Sequence, residues 1–212
     1  MKISFIWPWD KAKWVLPNWR DGHRKVIEEL GKVHHVDWFI GEDAWKPIQG
    51  YDFNLFWDDG SNLIHHNIIG KKGLMLTTGN TVRTIYPRDY DVIYCESQPI
   101  VDMVKSAGIR AVKAMGTDTD FFTPDSTIEK SIEYFYPATF SPWKLQSQIA
   151  HLGNKLLCVG TIQPDGQEEY EACVKNGVKT EVGYFPAEKI KDYYIRATNV
   201  IIPAIHGSER TV

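Results

Sequence analysis

The sequence has no block or stripe of basic residues. Its 24 Lys and Arg are mixed with 27 Asp and Glu along 212 residues, for a formal net charge of −3. This argues against nucleic acid as the main partner, because such a partner calls for a clustered positive surface. Cysteine is scarce too, with only Cys95, Cys158 and Cys173. Their number is odd and their spacing is not that of metal ligands. Cys95 and Cys158 fall in apolar, strand-like runs and read as buried free thiols in a reducing cytosol. The apolar run near the amino terminus, Ile3 to Trp7, is far too short for a signal peptide or a membrane span. No Gly-x-Gly-x-x-Gly, P-loop or Gly-x-Ser-x-Gly pattern occurs, which removes the dehydrogenases, kinases and hydrolases built on them. The His65-His66 pair lacks a third ligand at fixed spacing and reads as a solvated helix face.

What is present is a rhythm. Short apolar runs, each followed by an amphipathic stretch, begin with Lys2 to Trp7. A helix is expected from Gly22 to Leu30, stopped by Gly31. Strands are expected at 36–40, 51–57, 73–77, 91–95 and 109–115, with a short helix at 62–69. Ser97 and Pro99 open another helix, stopped by Gly108. Residues 116–130 have no sustained period and read as a hinge. The rhythm then restarts. A strand at 132–138 leads into a helix from Ser141-Pro142-Trp143-Lys144 to about Leu152. A strand at 155–159 ends in Gly160, and Asp165 with Glu168 has capping-box spacing. Another strand, 178–182, precedes a helix opened by Pro186. Val200 to Ile202 looks like a buried parallel strand, ended by Pro203. Strands alternating with helices mean a parallel sheet covered on both faces. The expected class is α/β, with two Rossmann-like domains facing a cleft: 1–116, a hinge at 117–130, and 131–212. The second domain is expected to be incomplete, because the chain stops about one turn into the helix after Gly207-Ser208.

The run Gly116-Thr117-Asp118-Thr119-Asp120-Phe121-Phe122-Thr123-Pro124 resembles the hinge of the retaining GT-B glycosyltransferases of family 4, also called group 1. Thr139-Phe140-Ser141-Pro142-Trp143-Lys144 is similar to that family's Arg-Leu-Ser-Pro-x-Lys turn. Leu156 to Gly160, Val182-Gly183-Tyr184-Phe185-Pro186 and Val200 to Gly207 match further pieces in the same order. The match covers most of 115–212. The sequence departs from the pattern at several points. Thr139 stands where the family has an Arg. His206 stands where it has the first Glu of Glu-x7-Glu, and Glu209 follows three residues later. Gly79 or Asn80 stands where it often has a His.

The resemblance implies a cytoplasmic hexosyltransferase of polysaccharide-biosynthesis type, compatible with peripheral membrane contact. It would use a nucleotide-sugar donor and a glycan, lipid or small-molecule acceptor, with no metal or other cofactor. His206 and Glu209 are the catalytic candidates. Thr139, Lys144, Gly160, Tyr184, Phe185, Gly207, Ser208 and Arg210 are placed on the donor side. On the acceptor side are placed Trp9 and Trp14, whose indole rings would stack on sugar C–H faces, and Gly79 and Asn80, at the position of the family His. A nucleotide-sugar epimerase and a non-catalytic nucleotide-sugar binding protein are the alternatives.

Overall fold

The computed structural model describes residues 1–8, 22–57, 68–76, 90–95, 97–114 and 118–203. The chain divides into two compact units, Met1–Asp118 and Thr119–Val212. The first is built on six parallel strands: β1 (Lys2–Trp7), β2 (His35–Ile40), β3 (Phe53–Trp57), β4 (Lys71–Leu76), β5 (Val92–Cys95) and β6 (Ala111–Lys113), in the order β2-β1-β3-β4-β5-β6. Helices α1 (Gly22–Val33) and α2 (Gln98–Ser106) are described with it. The apolar runs serve both faces, as a doubly covered sheet requires. Ile3, Phe5, Trp7, Leu55, Trp57 and Met75 pack with Ile27 of α1. Their alternates Ile6, Phe56, Leu74, Leu76, Ile93 and Cys95 pack with Ile100, Val101 and Val104 of α2. The period of two along each strand makes this division.

The second unit holds β7 (Ile132–Pro137), β8 (Leu156–Gly160), β9 (Lys179–Val182) and β10 (Ala197–Val200), all parallel, in the order β10-β7-β8-β9. Its helices are the four-residue α3 (Gln146–Ile149), α4 (Gln167–Lys175) and α5 (Ala187–Arg196). Tyr136, Phe140, Leu156, Cys158 and Cys173 form one core, while Phe135, Leu157, Val159, Tyr193 and Ala197 form the other. All three cysteines are buried and none is joined in a disulfide. The contact with Cys173, together with burial, pushes the Cys158 thiol up, so it stays protonated. Among the described residues, no helix is long and apolar enough to cross a membrane.

Several expectations from the sequence are corrected. Gly31 does not end α1, which runs on to Val33. Asp165 and Glu168 form no capping box, because the α4 N-cap is Gly166 and makes no side-chain cap bond. The last strand is Ala197–Val200 rather than Val200–Ile202. Its position at the sheet edge leaves Val200 and Ile202 exposed, so their β-branched character does not mark burial. The helix expected from Ser141 to Leu152 is broken. Pro142–Lys144 is a single 3₁₀ turn, Leu145 is left-handed (φ 56°, ψ 36°), and α3 then runs only to Ile149. The expected helix at 62–69 falls mostly outside the described residues, and Ile68 and Ile69 are not helical.

Candidate functional site

In an open parallel sheet the strands all finish at one edge, and loops leaving that edge bring distant residues together. The carboxyl edge of the second unit gathers Thr139 after β7, Gly160 at the end of β8, and Tyr184 and Phe185 after β9. Parallel pairing continues beyond the named strands. Phe140 N donates to Thr161 O at 2.7 Å and Gln163 N donates to Phe140 O at 3.1 Å. Gly160 and Gly166 make this approach feasible. A Cβ on Gly160 would collide with the Ala138 carbonyl, and one on Gly166 with the Phe140 carbonyl.

Lys144 is presented by the turn between this extension and α3. The expectation that it opens a regular helix is corrected, since it closes a 3₁₀ turn and is followed by left-handed Leu145. A left-handed leucine costs about 1–2 kcal/mol, so its neighbours must hold it. Lys144 N donates to Ser141 O at 2.9 Å. Tyr136, a β7 residue with a fully buried ring, donates its hydroxyl to Lys144 O at 3.0 Å. Gln146 is fully buried and donates Nε2 to Thr139 O at 2.8 Å. From α4, Glu169 accepts from Ser147 N at 2.6 Å and from Ser147 Oγ at 2.9 Å. This carboxylate caps α3, so the protein's own anion already takes the first turn of that helix. Ser141 Oγ, Gln146 Oε1 and Thr161 Oγ1 are buried and have no hydrogen-bond partner. Between them, Trp143 is 50% exposed.

Of the two aromatic residues after β9, Phe185 packs against the core of Phe135, Leu157 and Tyr193. The Lys189 ammonium lies 4.4 Å from its ring centroid, a cation–π contact. Tyr184 is 40% exposed. Glu181 at the end of β9 accepts from Lys189 Nζ at 2.6 Å. That bond, with one from Tyr193, holds its carboxyl below the ordinary glutamate value.

The other candidates, His206, Gly207, Ser208, Glu209, Arg210, Trp9, Trp14, Gly79 and Asn80, lie outside the described residues. The sequence reading missed Tyr136 and Gln146. No local signal marks either one, since β7 also carries Glu133 and Tyr134 and only the tertiary contacts single out Tyr136. It also missed the Trp7–Trp57 stack on neighbouring β1 and β3, with centroids 4.6 Å apart and planes 16° apart. In the expected hinge, Asp118 is buried and its Oδ1 lies 3.6 Å from Lys25 Nζ of α1. Within the second unit, Phe122 packs edge-to-face on Tyr194 of α5 at 6.0 Å.

No protein-family model matches the chain, and no curated protein matches it. Solved structures do. The chain is similar to AviGT4, a glycosyltransferase involved in avilamycin A biosynthesis, with a TM-score of 0.59 at 12% identity, covering 94% of this chain and 69% of that one. It is also similar to the DNA modifying enzyme β-glucosyltransferase, solved with and without its substrate uridine diphosphoglucose. There the TM-score is 0.60 at 12% identity, covering 96% of this chain and 72% of that one. At this identity the likeness is one of fold, and the fold is α/β with two Rossmann-like units of the GT-B type.

Proposed function

We propose that the protein is a glycosyltransferase that moves a sugar from a nucleotide-sugar donor to an acceptor. The observation that carries this reading is Lys144 on a braced turn at the carboxyl edge of the second sheet, the edge that also carries Thr139 and Gly160. Ligands of open α/β sheets sit outside that edge. The likeness in fold to two glycosyltransferases supports the reaction class. As the glycosidic bond breaks, the departing nucleoside diphosphate gains negative charge. A fixed ammonium beside it acts more strongly on the transition state than on the bound donor. Thr139 is neutral and α3 is capped by Glu169, so Lys144 would carry most of that charge, helped by Arg210. Gly207 and Ser208 would offer backbone donors to the same phosphates. His206 and Glu209 would face the donor sugar, and Tyr184 the base. Trp9 and Trp14, with Gly79 and Asn80, would serve a glycan, lipid or small-molecule acceptor. Retention of anomeric configuration and transfer without a metal follow from the resemblance to family 4.

The test is Lys144→Ala, assayed by release of nucleoside diphosphate from UDP-glucose and other common nucleotide-sugars. We expect kcat/KM to fall roughly a hundredfold or more. Urea stability should move by no more than about 0.5 kcal/mol. Near-normal turnover by the variant would refute the donor-site placement.

A further inference from the structure

The geometry of the turn points to Tyr136 and Gln146 as positioning residues for Lys144, an inference that rests on the donor-site reading above. The turn holds a shape that its own sequence does not favour. Pro142 suits the first position of a helix, and nothing from Trp143 to Ile149 forbids one continuous helix there. Yet Leu145, with its side chain, occupies a conformation normally left to glycine. Ser141 Oγ and Gln146 Oε1 are buried without partners in the same segment. Local preference and buried polar groups therefore both work against the observed turn, so neighbouring groups must enforce it.

Two of the groups that do so come from side chains with no exposure of their own. The Tyr136 ring sits among Phe140, Ala150, Leu156 and Cys158, and phenylalanine would serve that packing equally. The hydroxyl at its tip donates to Lys144 O and so holds the backbone of the proposed charge-bearing residue. From the other side of Leu145, Gln146 reaches back to Thr139 O. That closes the segment 139–146 into a loop tied at both ends to the β7 extension. If the turn relaxed toward continuous helix, Lys144 would rotate away from its present place at the sheet edge. An ammonium is most effective when it is fixed before charge develops, so these bonds act on the reaction through Lys144.

The experiment is a double-mutant cycle on the 212-residue chain, with UDP-glucose as donor probe and UDP release as readout. Tyr136→Phe should lower kcat roughly fivefold to tenfold, the scale of one lost hydrogen bond, and leave KM nearly unchanged. In the Lys144→Ala background the same change should have no further effect. Gln146→Met should reproduce both results, and it carries the test if Tyr136→Phe does not fold. Two independent, multiplying losses would overturn the inference, because Tyr136 would then act without Lys144. A silent Tyr136→Phe beside a damaging Lys144→Ala would overturn it as well, and would leave the donor-site reading standing. A silent Lys144→Ala would sink that reading and this inference with it.

Discussion

Two pairs of buried polar side chains, one on the strands of the first unit and one beyond the strand ends of the second, are treated in opposite ways. In the first, Ser4 and Asn54 are buried on the paired strands β1 and β3. Ser4 Oγ donates to Asn54 Oδ1 at 2.7 Å, and Asn54 Nδ2 donates to Ile69 O at 3.3 Å and Lys71 O at 3.2 Å. The amide stitches β1, β3 and the entry to β4, and its hydrogen bonds serve the sheet. In the second unit, Ser141 and Gln146 are just as buried but sit beyond the strand ends, and each leaves an oxygen unpartnered. A satisfied buried polar group stabilises a fold and fixes its register, while an unsatisfied one weakens it. In this chain Ser141 and Gln146, which are of the second kind, flank the turn that carries Lys144.

The largest stability effect that tests this contrast is expected at Asn54. Asn54→Ala strips partners from Ser4 and from two backbone carbonyls, and should cost about 2–3 kcal/mol in urea unfolding without lowering UDP release per folded molecule. A loss below about 1 kcal/mol would show that the amide is not the stitch described. Smaller and opposite in sign is Ser141→Ala. It removes a hydroxyl that has no partner, so stability should stay level or rise by up to about 1 kcal/mol. A clear loss of stability would mean that Ser141 is satisfied, and the contrast between the two pairs would collapse.

The smallest effect is electrostatic. Glu181 has its carboxyl held low first by Lys189 and then by Tyr193. A depressed folded value means that its contribution is present above the ordinary glutamate range. It is lost as pH falls through the lowered folded value. Glu181→Gln should therefore cost a few tenths of a kcal/mol at neutral pH, because the pair is partly exposed. The difference from the parent should vanish in acid. A gap that persists at low pH would point to packing rather than charge.

Much of the fold was legible because parallel strands write themselves as continuous apolar runs. Ile3 to Trp7, Leu74 to Leu76 and Leu156 to Val159 all became strands. Gly108 and Gly177 follow helix ends with φ of +79° and +73°, as their chemistry invites. Gly31 failed as a stop because glycine permits a left-handed residue without requiring one. The turn at Lys144 was not legible at all. Its left-handed residue is a leucine, and what holds it there is Tyr136 on one side and Gln146 bonded to Thr139 on the other. Contacts of that kind are tertiary and leave no local pattern. Thr139, Lys144 and Gly160 fall at one edge from the βα order alone, whereas the bracing around Lys144 lies in side-chain contacts that no spacing encodes.

Gly160 and Gly166 carry a consequence for how this edge can change over generations. At both positions any side chain meets the backbone carbonyl of the facing segment, and backbone has nowhere to retreat. The rail formed by residues 138–140 and 160–166 is therefore closed to point substitution at its two glycines. Trp143, half exposed on the neighbouring turn, is under no such restraint. A lineage drifting toward a different ligand would keep the rail as inherited and rewrite the turn, so diversity among descendants should accumulate at 143 and be absent at 160 and 166.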